Sequence, residues 1–510
     1  MTIVFREVAM RRMNKRKRQA PIFPAKLETL QDRLKKHIHN DTDFSYSIYH
    51  QQNQRFAVFY IPYLIDTNKL EASLLKPALD SKQILTSDFL LYHTPLSSGK
   101  AENRLDDILK RMLTGNVVIY IENNAEAIAF PMLKEEKRDL STAETESVVL
   151  GPQIAFTESL TTNMNLIRNS ILSSDLVLEK ITIGKRAPKE VRLTYLKTIA
   201  NQDDIRTMRQ RLKELDVDEI EDSSVLIQLI EDHSPSIFPQ FYETELPDRF
   251  TYSISKGRIG VLVDNSPTGI IAPVTLFSFF ESTEDLYMRW NIGSFFRILR
   301  FLAMIISVLL TPFYVAIVTY HYEVIPTPLL ISLGQSRANV PFPPIFEAIL
   351  LELLIELLRE AGARLPTKVG QTMGIVGGVV VGTAAVQAGL TSNILIIFIT
   401  LSALASFTAP SYLMGTTIRV LRFPMILLAG LLGIIGIMFG ACFLVIHLLK
   451  LTSLGRPYLS PIYPFNWEDL NKTLYRLPYH MQSKRFTSFR LKDIYRFNKN
   501  KAKQKKDIDE

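Results

Sequence analysis

Glu352, Glu356 and Glu360 stand four residues apart inside an otherwise apolar stretch. On a helix that spacing makes one stripe, with Arg359 on the same side and Glu347 about 140° away from Glu352 at about 100° per residue. A carboxylate in a membrane segment is costly and faces protein or water, not lipid. If several copies of the chain ring an axis, the stripe becomes stacked carboxylate rings, which attract cations and select against anions. The competing reading pairs Glu356 and Glu360 with Arg359 or Arg364 on an interfacial helix.

A second candidate follows closely. Gly370, Gly374, Gly377, Gly378 and Gly382 crowd one segment, with Gly374–Gly378 and Gly378–Gly382 at the small-xxx-small spacing that lets helices pack tightly. Its polar residues, Gln371 among them, carry no charge, and Ile375, Val376 and Val379 could form a constriction that closes by dewetting. Ordinary close packing between helices explains the same glycines. No P-loop, GxGxxG or HExxH is present, and the eight His residues form no ligand cluster. His321 with Glu323 reads as an interfacial anchor. The single cysteine, Cys442, excludes a disulfide framework and a Cys-based metal site. No enzyme activity, cofactor or metal is expected.

These residues sit where charge nearly stops. Residues 298–449 are mostly long apolar runs, and between Arg422 and Lys450 there is no Asp, Glu, Lys or Arg. A run of that length is long enough to cross a bilayer. The pattern predicts spans at 298–318 (Pro312 a kink), 369–390, 394–409 and 423–449, with the acidic segment 344–360 not crossing. Arg289, Arg297 and Arg300 before the first span, and Lys450 and Arg456 after the last, place both ends in the cytosol. An even number of crossings follows, and four put Arg419 and Arg422 on the outer side.

The preceding region reads as two related α/β subdomains, 41–150 and 175–290. Segments 55–66 and 190–201 match, aligning Tyr60 with Tyr195, Asp66 with Asn201 and Leu70 with Ile205. Segments 115–123 and 257–265 match as well, each running through acid-Asn to a Pro, which suits a hairpin because Asn tolerates the left-handed conformation. Phe156, Leu160, Met164 and Ile167 predict an amphipathic helix at 157–171 within the linker 151–174. Residues 1–40 read as a basic lead-in without a signal peptide, and 451–510 as a basic cytosolic tail. The net charge of +8 is concentrated in basic runs at Arg11–Arg18 and Lys484–Lys506. Beside a membrane domain such runs suit anionic lipid headgroups rather than nucleic acid, or else a solvated tail.

Beyond these patterns, ordered motifs resemble a known family. They include Gly151-Pro-Gln-Ile-Ala-Phe-Thr-Glu-Ser-Leu160, Thr244-Glu-Leu-Pro-Asp-Arg249, Val263-Asp-Asn-Ser-Pro267 and His321-Tyr-Glu-Val-Ile-Pro-Thr327. Glu356-Leu-Leu-Arg-Glu-Ala-Gly-Ala-Arg-Leu-Pro366, Gly370-Gln-Thr-Met-Gly-Ile-Val-Gly-Gly378 and Gly455-Arg-Pro-Tyr-Leu-Ser-Pro461 continue the series. From Gly151 to about Arg476 the chain resembles the A subunit of the spore germinant receptors of endospore-forming bacteria. The resemblance implies a place in the inner spore membrane beside a transporter-like B subunit and a lipoprotein C subunit. It also implies that the chain forms a homo-oligomer that conducts ions when germinant binds. A non-conducting scaffold that recruits other germination proteins is the alternative.

Overall fold

The computed structural model describes residues 24, 26–38, 44–51, 54–81, 84–96, 98–134, 142–143, 146, 148–365, 378, 382–478 and 481–498. The first sheet contains β1 (Ser45–Gln51), β2 (Gln54–Tyr60), β3 (Lys100–Glu102), β4 (Asn116–Ile121) and β5 (Ala127–Pro131), all neighbours antiparallel in the order β1-β2-β4-β5-β3. The second contains β6 (Leu176–Ile183), β7 (Lys189–Leu196), β8 (Tyr242–Thr244), β9 (Ile259–Val263) and β10 (Gly269–Ala272), in the order β6-β7-β9-β10-β8. The same topology occurs twice, so the α/β region consists of two related subdomains.

The repeat extends to individual residues. Asp66 and Asn201 each cap the helix after the second strand, accepting bonds from Lys69 N and Asp203 N respectively. Asn123 and Asn265 turn the two hairpins at φ 68° and 59°, the left-handed region that Asn tolerates.

The first subdomain begins earlier than residue 41. Helix α1 (Leu27–His37) buries Leu27, Leu30 and Leu34 against Phe59, Val118 and Tyr120 and against α2 (Leu105–Leu113). Leucines at that spacing form one apolar face, and the sheet covers it. The linker helix α3 (Leu160–Ser170) starts three residues later than the periodicity predicts, because Ser159 caps it and Thr157 N donates to Asn163 Oδ1.

Helix α3 also couples the halves. Arg168 is 1% exposed and donates to Tyr63 Oη of the first subdomain at 3.1 Å and to Leu176 O of the second at 3.2 Å. Arg168→Met is expected to leave those acceptors buried and unsatisfied, costing about 2–3 kcal/mol. The check is a lower unfolding midpoint in denaturant.

The C-terminal segment is not a free tail. Helix α4 (Gln202–Glu214) pairs its Asp204 with Arg456 at 2.8 Å, Asn201 Nδ2 donates to Arg490 O, and Tyr458 Oη donates to Pro239 O. Residues 451–478 and 481–498 therefore form a strap over the second subdomain, with basic residues engaged: Lys484 with Glu468, Arg485 with Asp493. Sequence reasoning read the charge but not these partners.

Asp469 clamps the strap. It is fully buried and accepts from the backbone and hydroxyl of both Thr487 and Ser488. Burial raises its carboxyl, but those bonds and Lys472 outweigh burial and hold it below the usual range. The clamp is thus present above the unfolded carboxylate value and is lost as pH falls through the lower folded value. Asp469→Ala is expected to make Lys484 and Arg485 early trypsin sites at neutral pH, where wild type resists.

Helix α5 (Pro247–Ser255) packs on the second sheet, and beyond that subdomain lies a helical block: α6 (Trp290–Tyr320), α7 (Thr327–Arg337), α8 (Pro344–Arg364), α9 (Asn393–Ser406) and α10 (Tyr412–Lys450). Among the described residues, only α6 and α10 are long and apolar enough to cross a membrane, each with mean hydropathy 2.5. Helix α10 is folded in two: Gly433 has φ 63° and ψ −142°, and the arms 412–432 and 434–450 run back antiparallel. A Cβ on Gly440 would touch Met425 Sδ, and one on Gly436 would strike Leu428 O. Both arm ends reach the same loop, Thr417 Oγ1 donating to Ile237 O and His447 Nε2 bonding Ser236 Oγ. The arms measure about 30 and 25 Å at the helical rise, close to the thickness of a hydrocarbon core.

Two sequence expectations change here. Residues 423–449 are not one crossing, because glycine permits the backbone to reverse at position 433. The acidic segment 344–360 does run through the block, from Ile345 packed at Gly430 near the hairpin tip to Glu356 beside Arg419 nearer its base. Arg419 and Arg422 consequently lie inside the block, not on an outer loop.

Candidate ion-pathway site

Helix α8 carries four carboxylates through the block, and each has an arginine. Near the tip, Glu347 pairs with Arg337 of α7 at 2.9 Å and accepts from Ser392 N. Halfway down, Glu352 Oε2 meets Arg422 Nη1 at 2.5 Å, and Thr311 Oγ1 of α6 donates to Glu352 Oε1. Arg422 spends its other donors on Ser307 O, Ser307 Oγ and Ser402 O. This pair is buried on both sides, and its hydrogen bonds are what make an ion pair tolerable there.

Toward the α/β end the ladder opens. Glu356, 21% exposed, faces Arg419 at 3.6 Å and also pairs with Arg359 one turn along. Glu360, 61% exposed, pairs with Arg364 at 2.6 Å. The in-helix pairing that competed with the ring reading is therefore present for both. Glu352 is bound into the interior instead, an arrangement that requires Arg422 from 70 residues away in sequence.

The other predicted site residues stand apart from this ladder. Gly370, Gln371, Gly374, Ile375, Val376, Gly377 and Val379 lie outside the described residues. Gly378 and Gly382 are described, and no described atom lies within 4 Å of where a Cβ would sit on either. The glycines that do pack closely are Gly430, Gly436 and Gly440, which sequence reasoning passed over. Their small-residue spacing was the available signal. Arg337, Ser307, Thr311 and Ser402 were also missed. Arg419 and Arg422, three apart in an apolar run, were the visible hint that Glu352 and Glu356 had partners.

The outside of the block is apolar. Phe295, Leu302, Phe313, Leu353, Leu431 and Phe439 are all large and exposed. An apolar exterior over a charged, hydrogen-bonded interior is the arrangement that lipid surroundings demand.

Two repeated α/β units fastened to an apolar helical block with an internal ion-pair ladder define a membrane-associated protein. The family model described as Bacillus/Clostridium GerA spore germination protein matches residues 32–488. The chain belongs to this GerA family of spore germination proteins. It is 42% identical to spore germination protein GerQA of Bacillus cereus over 95% of this chain and 98% of that protein. It is 38% identical to spore germination protein A1 of Bacillus subtilis (strain 168) over 83% of this chain and 88% of that protein. The crystal structure of the N-terminal domain of the A subunit of the Bacillus megaterium spore germinant receptor GerK3 is similar at 25% identity and TM-score 0.40, over 50% of this chain and 98% of that one.

Proposed function

We propose that this chain is the non-enzymatic membrane subunit of a spore germinant receptor, and that several copies assemble into a cation-conducting channel opened through a B subunit when nutrient germinant binds. The observation that carries the reading is helix α8, which runs through the helical block and keeps Glu356 and Glu360 partly exposed toward one end. Further copies packed along that stretch would bring those carboxylates around a common axis. The block begins and ends at the second subdomain, which supports an even number of crossings, with the α/β region and both chain ends on the cytosolic side of the inner spore membrane. The C subunit and anionic lipid headgroups complete the proposed surroundings.

One observation favours the scaffold reading: every α8 carboxylate already has an arginine, so a single chain offers no free negative ring. Planar-bilayer recording separates the two. The purified chain with its B partner, given amino-acid, sugar and nucleoside germinants in turn, is expected to show cation-selective steps that shrink in Glu356→Gln/Glu360→Gln. A silent bilayer containing inserted, folded oligomer would establish the scaffold.

A further inference from the structure

A basic cleft lies where the second subdomain, the base of α6 and the C-terminal strap meet. It has two contiguous parts with cavity volumes of about 30 and 40 Å³, sharing Tyr252, Lys256, Glu281, Leu286 and Arg297. The inner part adds Arg249 and Arg258, and the outer part adds Lys472, Arg476 and Arg485 among its cations. Among the described residues, Glu281 is the only carboxylate lining either part. Burial raises its carboxyl, but Lys256, Arg297, Arg258 and Arg249 outweigh burial and hold it at about 2. It stays charged at any physiological pH and still leaves the cleft positive.

Three guanidinium Nε–H groups in this lining, those of Arg258, Arg476 and Arg485, are buried without a hydrogen-bond partner among the described residues. Arg258 is only 8% exposed, donates Nη2 to Ser278 Oγ at 2.9 Å, and lies over the Phe489 ring. A buried guanidinium with an unused donor is costly, and an acceptor with several oxygens would relieve it. Arg476 holds Leu286 O and Met288 O, the carbonyls immediately before α6, and α6 begins without a side-chain cap. Its first N–H groups favour negative charge. Trp290, Ile292 and Phe295 are exposed on the first turns of α6, so the cleft opens at the depth where an apolar surface begins.

We propose that this cleft is a phosphate-binding site. A phosphate group matches it: several acceptor oxygens, planar arginine forks that bind them in pairs, and lysines that add charge. The group comes either from a lipid headgroup at the membrane surface or from a soluble phosphate. The site is independent of the conduction reading.

The test uses the full chain in two settings. In detergent at fixed ionic strength, inorganic phosphate is titrated while thermal unfolding is followed. In nanodiscs containing phosphatidylglycerol, the lipid retained after transfer to detergent is counted by native mass spectrometry. Stabilisation by inorganic phosphate that is about tenfold weaker in R476Q/R485Q, the loss expected for a charge-assisted hydrogen bond, identifies a soluble phosphate. Phosphatidylglycerol retained by wild type and lost from the variant identifies a headgroup. No effect in either setting, or the same effect in wild type and variant, overturns the site. Lys256→Gln replaces the double variant if that one does not fold.

Discussion

Arg422→Gln is expected to unfold the helical block at a temperature well below wild type, with a loss of about 3–5 kcal/mol. The reason is the carboxylate left behind. Glu352 would keep Thr311 Oγ1 but lose the guanidinium that balances it, deep among α6, α8, α9 and α10. Ser307 O and Ser402 O would lose donors at the same time. Arg422→Lys is not expected to rescue, because one ammonium cannot place donors on Glu352, Ser307 and Ser402 together. Glu352→Leu/Arg422→Met should recover most of the loss, since apolar replacement of a buried ion pair is often neutral. Thermal unfolding in detergent decides it. Single variants as stable as wild type would mean that the pair does not form in the folded protein.

Gly436→Leu is expected to be as damaging, for a steric reason. A Cβ at Gly436 would collide with Leu428 O, which is backbone of the opposite arm and cannot swing aside. The arms must separate, which also pulls Gly440 from Met425. Gly433→Ala tests the reversal itself: φ 63° with ψ −142° is a conformation open essentially to glycine, and forcing alanine there costs about 1–3 kcal/mol. Circular-dichroism melting should give a lower midpoint for both variants. A Gly433→Ala protein as stable as wild type would mean that 412–450 runs on as one straight helix.

What the sequence disclosed was local and periodic. Asn123 and Asn265 announced their hairpins, and the alignment of Asp66 with Asn201 marked the repeat, whose shared capping role appears only in the fold. The stripe Glu352–Glu356–Glu360 was legible because one helix sets its spacing. Its meaning was not, because Arg422 approaches from another helix and no local pattern encodes that meeting. The last apolar run looked like one span since leucines and isoleucines read alike whether an arm continues or reverses. Only Gly430, Gly433, Gly436 and Gly440 mark the difference, and the same residues suit any packed membrane helix. The strap was misread for a related reason: composition reports that 484–496 is basic, while Asp469, Asn201 and Asp204 determine whether it is held.

The second subdomain is fastened to the helical block at several places. Helix α6 leaves it where Arg297 and Arg300 grip Asp285, both arms of α10 bond its Ser236–Ile237 loop, and the chain re-enters it where Asp232 holds Thr452 and Gly455. A body pinned at one point swivels freely; pinned at several, it moves only with what holds it. Reorientation of this subdomain therefore has to carry α6 and both arms of α10 with it. The first subdomain, coupled to the second through Arg168, is tied into the same movement.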